Sequence, residues 1–131
     1  MEVPVSLLYT KTHEWVMLSD GKARVGLTDF AQDALGDIVF FNLPAVGSVV
    51  GAGDIIGEVE SVKAVSEICA AVGGSICAVN DALADSPELV NEAPYANWIF
   101  EIEIETDAGA GTDDLLTPEQ YESFCCDEEK S

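Results

Sequence analysis

Basic residues are scarce in this 131-residue chain: five Lys and Arg stand against 25 Asp and Glu, a formal net charge of −20. A surface of that sign repels a phosphate backbone or an anionic membrane, which excludes nucleic acid and lipid surfaces as partners. Basic proteins would be attracted, and their association would slow as salt rises. Solubility, or adaptation to a salty interior, accounts for the acidity equally well. Long apolar runs are missing too, since none approaches the 18 or more residues of a membrane span. Residues 1–10, MEVPVSLLYT, have neither the basic start and small-residue cleavage site of a signal peptide nor the Arg-rich character of a transit peptide. The expectation is a soluble, cytoplasmic chain, or the mature form of a processed one.

Reactive constellations are equally thin. Cys69, Cys77, Cys125 and Cys126 form no CxxC pair, and the single histidine, His13, has no partner at metal-ligand spacing. Reduced thiols, no metal site and no catalytic residue of the chain's own are therefore expected. His13, beside Glu14 and Trp15, reads as structural, and no Ser-His-Asp arrangement can be argued.

What is present is a core and many short strands. A 13.9 kDa chain with 48% hydrophobic residues is long enough for one domain over residues 1–131. EWVML, ARVGL, DIVFFNL, SVVGAG, DIIGEVES, SICAVN and WIFEIEIE are the candidate strands, punctuated by Gly, Asp or Asn. Ile99 to Glu105 is the cleanest, with Phe100, Ile102 and Ile104 alternating with Glu101, Glu103 and Glu105. LSDGKA places an Asp-Gly turn between two strands. Helical signals are fewer. TDFAQDALG offers Thr28 or Asp29 as N-cap and Gly36 as a stop. NDALADSPELVN suggests short turns capped by Asn80 and Ser86. Thr117 as N-cap before Pro118 predicts a C-terminal helix over about 117–125, after a flexible acidic connector over about 106–114. Together these predict a mainly β sandwich or barrel with a few short helices.

A weak repeat relates AVGSVVGAGD, Ala45–Asp54, to AVGGSICAVND, Ala71–Asp81. Its midpoint falls near Lys63, so a two-fold-related sandwich would put ESVKA on the hairpin joining its halves. Lys63 is also the only Lys or Arg between Arg24 and Lys130. A surface cation balanced by Glu60 and Glu67 would contribute only about 0–1 kcal/mol, and it would not explain that isolation. An ε-amine that is acylated would explain it: a long flexible chain then hangs from a rigid turn and is held at high effective concentration near each partner.

GEVESVKAVSEI, with Tyr9–Val16 (YTKTHEWV), VGLTDFAQDALGDIVFFNLP, VNDALADSPELVNEAPY and Trp98 around it, resembles the glycine cleavage system H protein family over about 110 residues. The resemblance implies a lipoyl- and biotinyl-carrier-like barrel-sandwich hybrid of two antiparallel sheets. It implies lipoate on Lys63, within the attachment motif Glu60, Ser61, Val62 and Ala64. Such a carrier takes an aminomethyl group from the glycine decarboxylase, or P protein, to the aminomethyltransferase, or T protein. Electrons pass to dihydrolipoyl dehydrogenase, the L protein, and lipoate-attaching enzymes modify the lysine. The carrier is not itself an enzyme, and a monomer is expected, in the cytoplasm or in the mitochondrial matrix or a related organelle for a processed form. By position, Thr12, Glu14 and Glu67 would line a cleft for the loaded arm.

Some positions depart from the family. Phe30 stands where a His is common, CAA (Cys69–Ala71) replaces a usual Tyr-Ser-Pro, PYANW (Pro94–Trp98) is one residue short, and the late strands lack basic residues. The alternatives are a lipoyl carrier of this type for sulfur-compound oxidation, one that relays lipoate to other proteins, or an unmodified interaction module.

Overall fold

The computed structural model describes residues 3–104 and 115–130, with side chains to residue 126. The connector expected over 106–114 lies outside the described residues. Among the described residues, nine strands form two antiparallel sheets. The larger contains β1 (Leu8–Tyr9), β2 (Glu14–Ser19), β3 (Lys22–Leu27), β9 (Phe100–Ile104), β8 (Gly74–Val79) and β5 (Val49–Val50), in that spatial order. The smaller contains β4 (Ile38–Asn42), β6 (Ile55–Ser61) and β7 (Val65–Cys69). The expected pair of antiparallel sheets is thus what forms, with neither sheet closing on itself.

Local chemistry explains most elements. Asp20 and Gly21 sit at φ 51° and 75°, the conformation a tight turn between twisted strands demands, and they pair Ser19 with Lys22 and Val16 with Val25. In β9 the alternation holds: Phe100 and Ile102 are buried while Glu103 faces solvent. Helix α1 (Asp29–Leu35) is capped by Thr28, whose hydroxyl accepts from the Ala31 amide at 3.2 Å. A reciprocal box opens α4 (Pro118–Lys130): the Gln120 amide donates to Thr117 Oγ1 at 3.2 Å, and the Thr117 amide to Gln120 Oε1 at 2.9 Å.

The caps expected at Asn80 and Ser86 are both found on α2 (Ala82–Asp85): Asn80 Oδ1 accepts from the Ala82 amide at 3.3 Å, and Ser86 is the C-cap, its amide donating to the Ala82 carbonyl. Asp81 and Glu88, which directly precede α2 and α3 (Leu89–Glu92), are themselves helical and supply no side-chain cap. Other expectations need correction. SVVGAG keeps only Val49–Val50 as strand, because the Asp54 carboxylate draws the Gly51 amide into a turn at 2.7 Å. β1 and β7 were not among the candidate segments; exposed Ser66 and Glu67 hide the pattern of β7, an edge strand.

The repeat acquires a physical meaning. Its copies pair with each other, Val49 with Ser75 and Val50 with Gly74. The β6–β7 hairpin pairs Glu60 with Val65 and Glu58 with Glu67. Both pairings are centred in sequence at Val62–Lys63, so the lysine sits where the two halves of the pattern meet.

One core lies between the sheets, with Val16, Val25, Ile38, Phe41, Val59 and Phe100 among its members. A second joins Leu7, Tyr9 and Trp15 to Tyr121 and Cys125 of α4. Tyr9 and Tyr121 stack with centroids 4.7 Å apart.

Within the smaller sheet, Gly57 lets β6 approach β4 closely: a Cβ there would lie 2.5 Å from the Asn42 carbonyl oxygen. Gly57→Ala should therefore cost about 1–3 kcal/mol of stability, read as a lower urea midpoint with an unchanged m-value.

Candidate functional site

Lys63 stands at the tip of the β6–β7 hairpin, and Ser61 ties that tip. The Ser61 amide donates to the Ala64 carbonyl at 2.8 Å. Its hydroxyl accepts from the amides of Lys63 at 3.3 Å and Ala64 at 3.1 Å. The exposed Val62 donates its amide to the Asp37 carbonyl at 3.0 Å, anchoring the tip to the α1–β4 turn. Glu60 points outward, between Phe40 and Val65 across the strands.

The lysine side chain lies along Gly36, the residue that ends α1 at φ 77°. A Cβ at Gly36 would stand 3.4 Å from Lys63 Cε and 3.9 Å from Nζ. Gly therefore serves both the left-handed stop and the passage of the lysine stem. Asn91 of α3 fixes this turn from behind. Its Nδ2 donates to the Gly36 carbonyl at 2.8 Å and to Gln32 Oε1 at 3.1 Å, and its Oδ1 accepts from the Ile38 amide at 2.9 Å. Among the described residues Lys63 forms no ion pair, so neither Glu60 nor Glu67 balances it at contact distance.

From the end of α1 a series of hollows follows the free edge of β7. The first, about 150 Å³, lies between Ala34 and Leu35 on α1, Ser66 and Glu67 on β7, and Phe30 and Thr12. The next, about 330 Å³, is lined by Thr12, Ile55, Ser66, Glu67 and Cys69. A third, about 390 Å³, continues from Thr12 and Cys69 to Thr10, Lys11, Glu14 and Gly53. Thr12 borders all three, Glu67 the first two and Glu14 the third. Both ends have mixed linings: Phe30, Ala34 and Leu35 stand beside Ser66 and Glu67 in the first, and Ala52, Ala70 and Leu115 beside Thr10 and Glu14 in the third.

Glu14 is the anomaly of the site. It is wholly buried, and its Oε1 accepts from Thr10 at 2.9 Å and Thr12 at 2.5 Å. Its Oε2 is buried with no hydrogen-bond partner. Burial pushes its carboxyl up from 4.5 to about 7, although the Thr12 and Thr10 hydroxyls pull the other way, as does the Cys69 amide, which is near but not placed for a hydrogen bond to Oε2. A buried carboxyl with one oxygen unmet is relieved either by keeping its proton or by a cation brought beside it. Cys69 shares the hollow, where burial, then the charges of Glu14 and Glu67, hold its thiol above the usual range and keep it a poor nucleophile. Cys69, Cys77 and Cys126 are in no disulfide among the described residues.

Phe30 supplies a wall rather than a polar contact: it stacks on His13 with centroids 4.5 Å apart. His13, at φ 68°, places Nδ1 2.8 Å from the Tyr121 hydroxyl, which lies 2.6 Å from Thr28 Oγ1. Gly36, Asn91 and Tyr121 were not singled out for this site by sequence. Gly36 was visible only as a helix stop, and nothing local marks Asn91 as the clamp on a turn more than fifty positions away. Among the described residues no group of three His, Cys, Asp or Glu could hold a metal ion. No described helix is long and apolar enough to cross a membrane.

These residues fit a lipoyl group: an exposed amine on a fixed turn, hollows beside it with apolar walls, and an unmet carboxyl oxygen beyond. Comparison with known proteins points the same way. The family described as glycine cleavage H-protein matches residues 7–128. A glycine cleavage system H protein of Alcanivorax borkumensis is 51% identical, covering 93% of this chain and 94% of that protein. One from Oceanobacillus iheyensis is 52% identical, over 97% of this chain and all of that protein. A crystal structure of a glycine cleavage system H protein from Mycobacterium marinum superposes with a TM-score of 0.83 at 37% identity, covering 97% of this chain and 99% of that one.

Glu14 makes stability depend on pH with a definite sign. Between pH 4.5 and about 7 the native carboxyl keeps a proton that the unfolded chain has released, so stability falls as pH rises through that window. The full penalty is about 3 kcal/mol above it. Glu14→Gln escapes the penalty, so its advantage over the wild type in urea unfolding should grow by about that amount from pH 4 to pH 8. A constant difference would show that Glu14 ionises as an exposed acid does.

Proposed function

The chain belongs to the glycine cleavage H-protein family, and on that premise we propose that it serves glycine cleavage as a carrier through a lipoyl group on Lys63. When bound, the group supplies a dithiolane able to take up an aminomethyl group and a pair of electrons. The chain's own residues hold, shelter and release. Ser61, Val62 and Asn91 fix the root of the arm, while Gly36 gives the lysine stem its path toward the hollows. Leu35 and Phe30 exclude water along the arm. At the far end the unmet oxygen of Glu14, assisted by Thr12 and Glu67, receives an ammonium. Keeping that nitrogen protonated withdraws the lone pair that would expel the sulfur, so the cargo survives transit.

The observation that carries this assignment is the conjunction of an unpaired, exposed Lys63 with a buried carboxyl oxygen that lacks a partner. The same carboxyl favours an aminomethyl cargo over the alternatives: a sulfur cargo, or relay of the lipoyl group itself, presents no cation to Glu14. The proposed partners are the P, T and L proteins and lipoate-attaching enzymes, met by a monomer in the cytoplasm or an organelle matrix. The acidic surface favours partners with basic docking faces. The chemistry at the arm's tip belongs to those enzymes, and this chain acts as a non-catalytic carrier.

The intact mass of the protein from its native cell, with peptide mapping across Lys63, tests the assignment. A lipoyl increment on Lys63 is expected, and Lys63→Arg should fold normally but lose both the increment and glycine–bicarbonate exchange with P protein. An unmodified Lys63 in a cell that lipoylates other proteins would remove the function. Glu14→Ala should shorten the lifetime of the loaded carrier about tenfold or more, the loss of one charge-assisted contact.

A further inference from the structure

The outer face of the smaller sheet carries an apolar patch that the fold does not use. Phe40, Glu60 and Val65 stand in register across β4, β6 and β7, with Asn42, Glu58 and Glu67 in the next outward row. The inward row, Phe41 and Val59, belongs to the core. Phe40 is 54% exposed and Val65 56%, and the neighbouring Val39 and Val62 are 51% and 70% exposed. Phe40, Asn42, Glu58, Glu60 and Val65 enclose a shallow depression of about 150 Å³. Glu58 and Glu60 form no ion pair among the described residues. A cluster of this kind, with exposed Phe40 and Val65 on the outer strands, Glu60 between them on β6 and one sign of charge throughout, has the make-up of a docking surface.

From this face we propose that the Phe40–Val65 patch with Glu58 and Glu60 is where the enzyme that acylates Lys63 docks, through an apolar knob flanked by Lys or Arg. The inference rests on Lys63 being the acylated residue. The choice of enzyme follows from distance. An enzyme that forms the amide at Nζ must bring that atom into its own active site, so its surface necessarily meets the residues around the hairpin tip. Enzymes that work on the far end of the arm meet the hairpin only across the arm's length. The charge also fits, since two acids beside the patch call for basic groups on the partner. The depression shares no lining residue with the hollows, and the two regions meet only at Glu67, which stands in the next outward row and borders the first two hollows. An enzyme seated on the depression leaves most of the shelter for the arm unblocked.

The test uses the unacylated full chain and a purified lipoate–protein ligase supplied with lipoate and ATP. Phe40→Ser and Val65→Thr lie on an exposed face, and unchanged urea midpoints would confirm that folding is intact. Together they should raise the KM for acylation about tenfold, the loss of an apolar anchor, with kcat within about twofold. Glu58→Lys should raise KM severalfold and flatten its dependence on salt. The same variants, once lipoylated, should support glycine–bicarbonate exchange with P protein at an unchanged KM. An unaltered acylation KM would overturn the proposal, as would an equal rise in both assays. A dimer in light scattering that Phe40→Ser disperses would assign the patch to a second copy of the chain and overturn it too. A wild-type protein that accepts no acyl group on Lys63 would instead sink the carrier function itself, and this inference with it.

Discussion

A long flexible arm searches usefully only if its root stays still, and the root here is held by one side chain from a distant helix. Asn91 uses its whole amide on the α1–β4 turn, receiving from Ile38 and donating to Gly36 and Gln32. That turn in turn takes the Val62 amide through Asp37 and bears the stem of Lys63 along Gly36. Ser61 closes the tip from within. The hairpin thus leans on α1 and α3 rather than projecting alone, as a two-stranded ribbon is marginal in water by itself.

Burying Glu14 is the opposite kind of constraint, since it opposes folding at neutral pH. Two threonine hydroxyls satisfy one of its oxygens and leave the other without a donor. Polar groups left unmet in an interior are uncommon and concentrate where a ligand completes them. The same charge also restrains Cys69, the one thiol on the hollow's lining, by disfavouring its thiolate. One residue thereby leaves an acceptor unmet beside the hollow and quiets a neighbouring thiol.

Much of the framework was legible because it rests on local rules. Asp20–Gly21, the Thr28 cap and the Thr117–Gln120 box act within a few residues, and β9 shows its buried face in bare alternation. Lys63 stood out by isolation and by the motif around it. What the sequence hid depends on distant partners. Glu14 could as well have been one more surface acid, because its burial comes from residues around Cys69 and Leu115 that share its hollow. Asn91 and Gly36 look ordinary until the fold brings α3 behind α1. Asn80 and Ser86, by contrast, were legible as caps, since each acts on α2 within a few residues.

His13, stacked on Phe30 and met edge-on by Tyr121, bears on the order in which the molecule is completed. One wall of the first hollow is braced by α4, whose Tyr121 reaches back to His13 and Thr28, some hundred positions earlier. During synthesis the hairpin bearing Lys63 can emerge well before that brace exists. The proposed attachment point is therefore made before the proposed shelter, whose wall becomes whole only once α4 has docked.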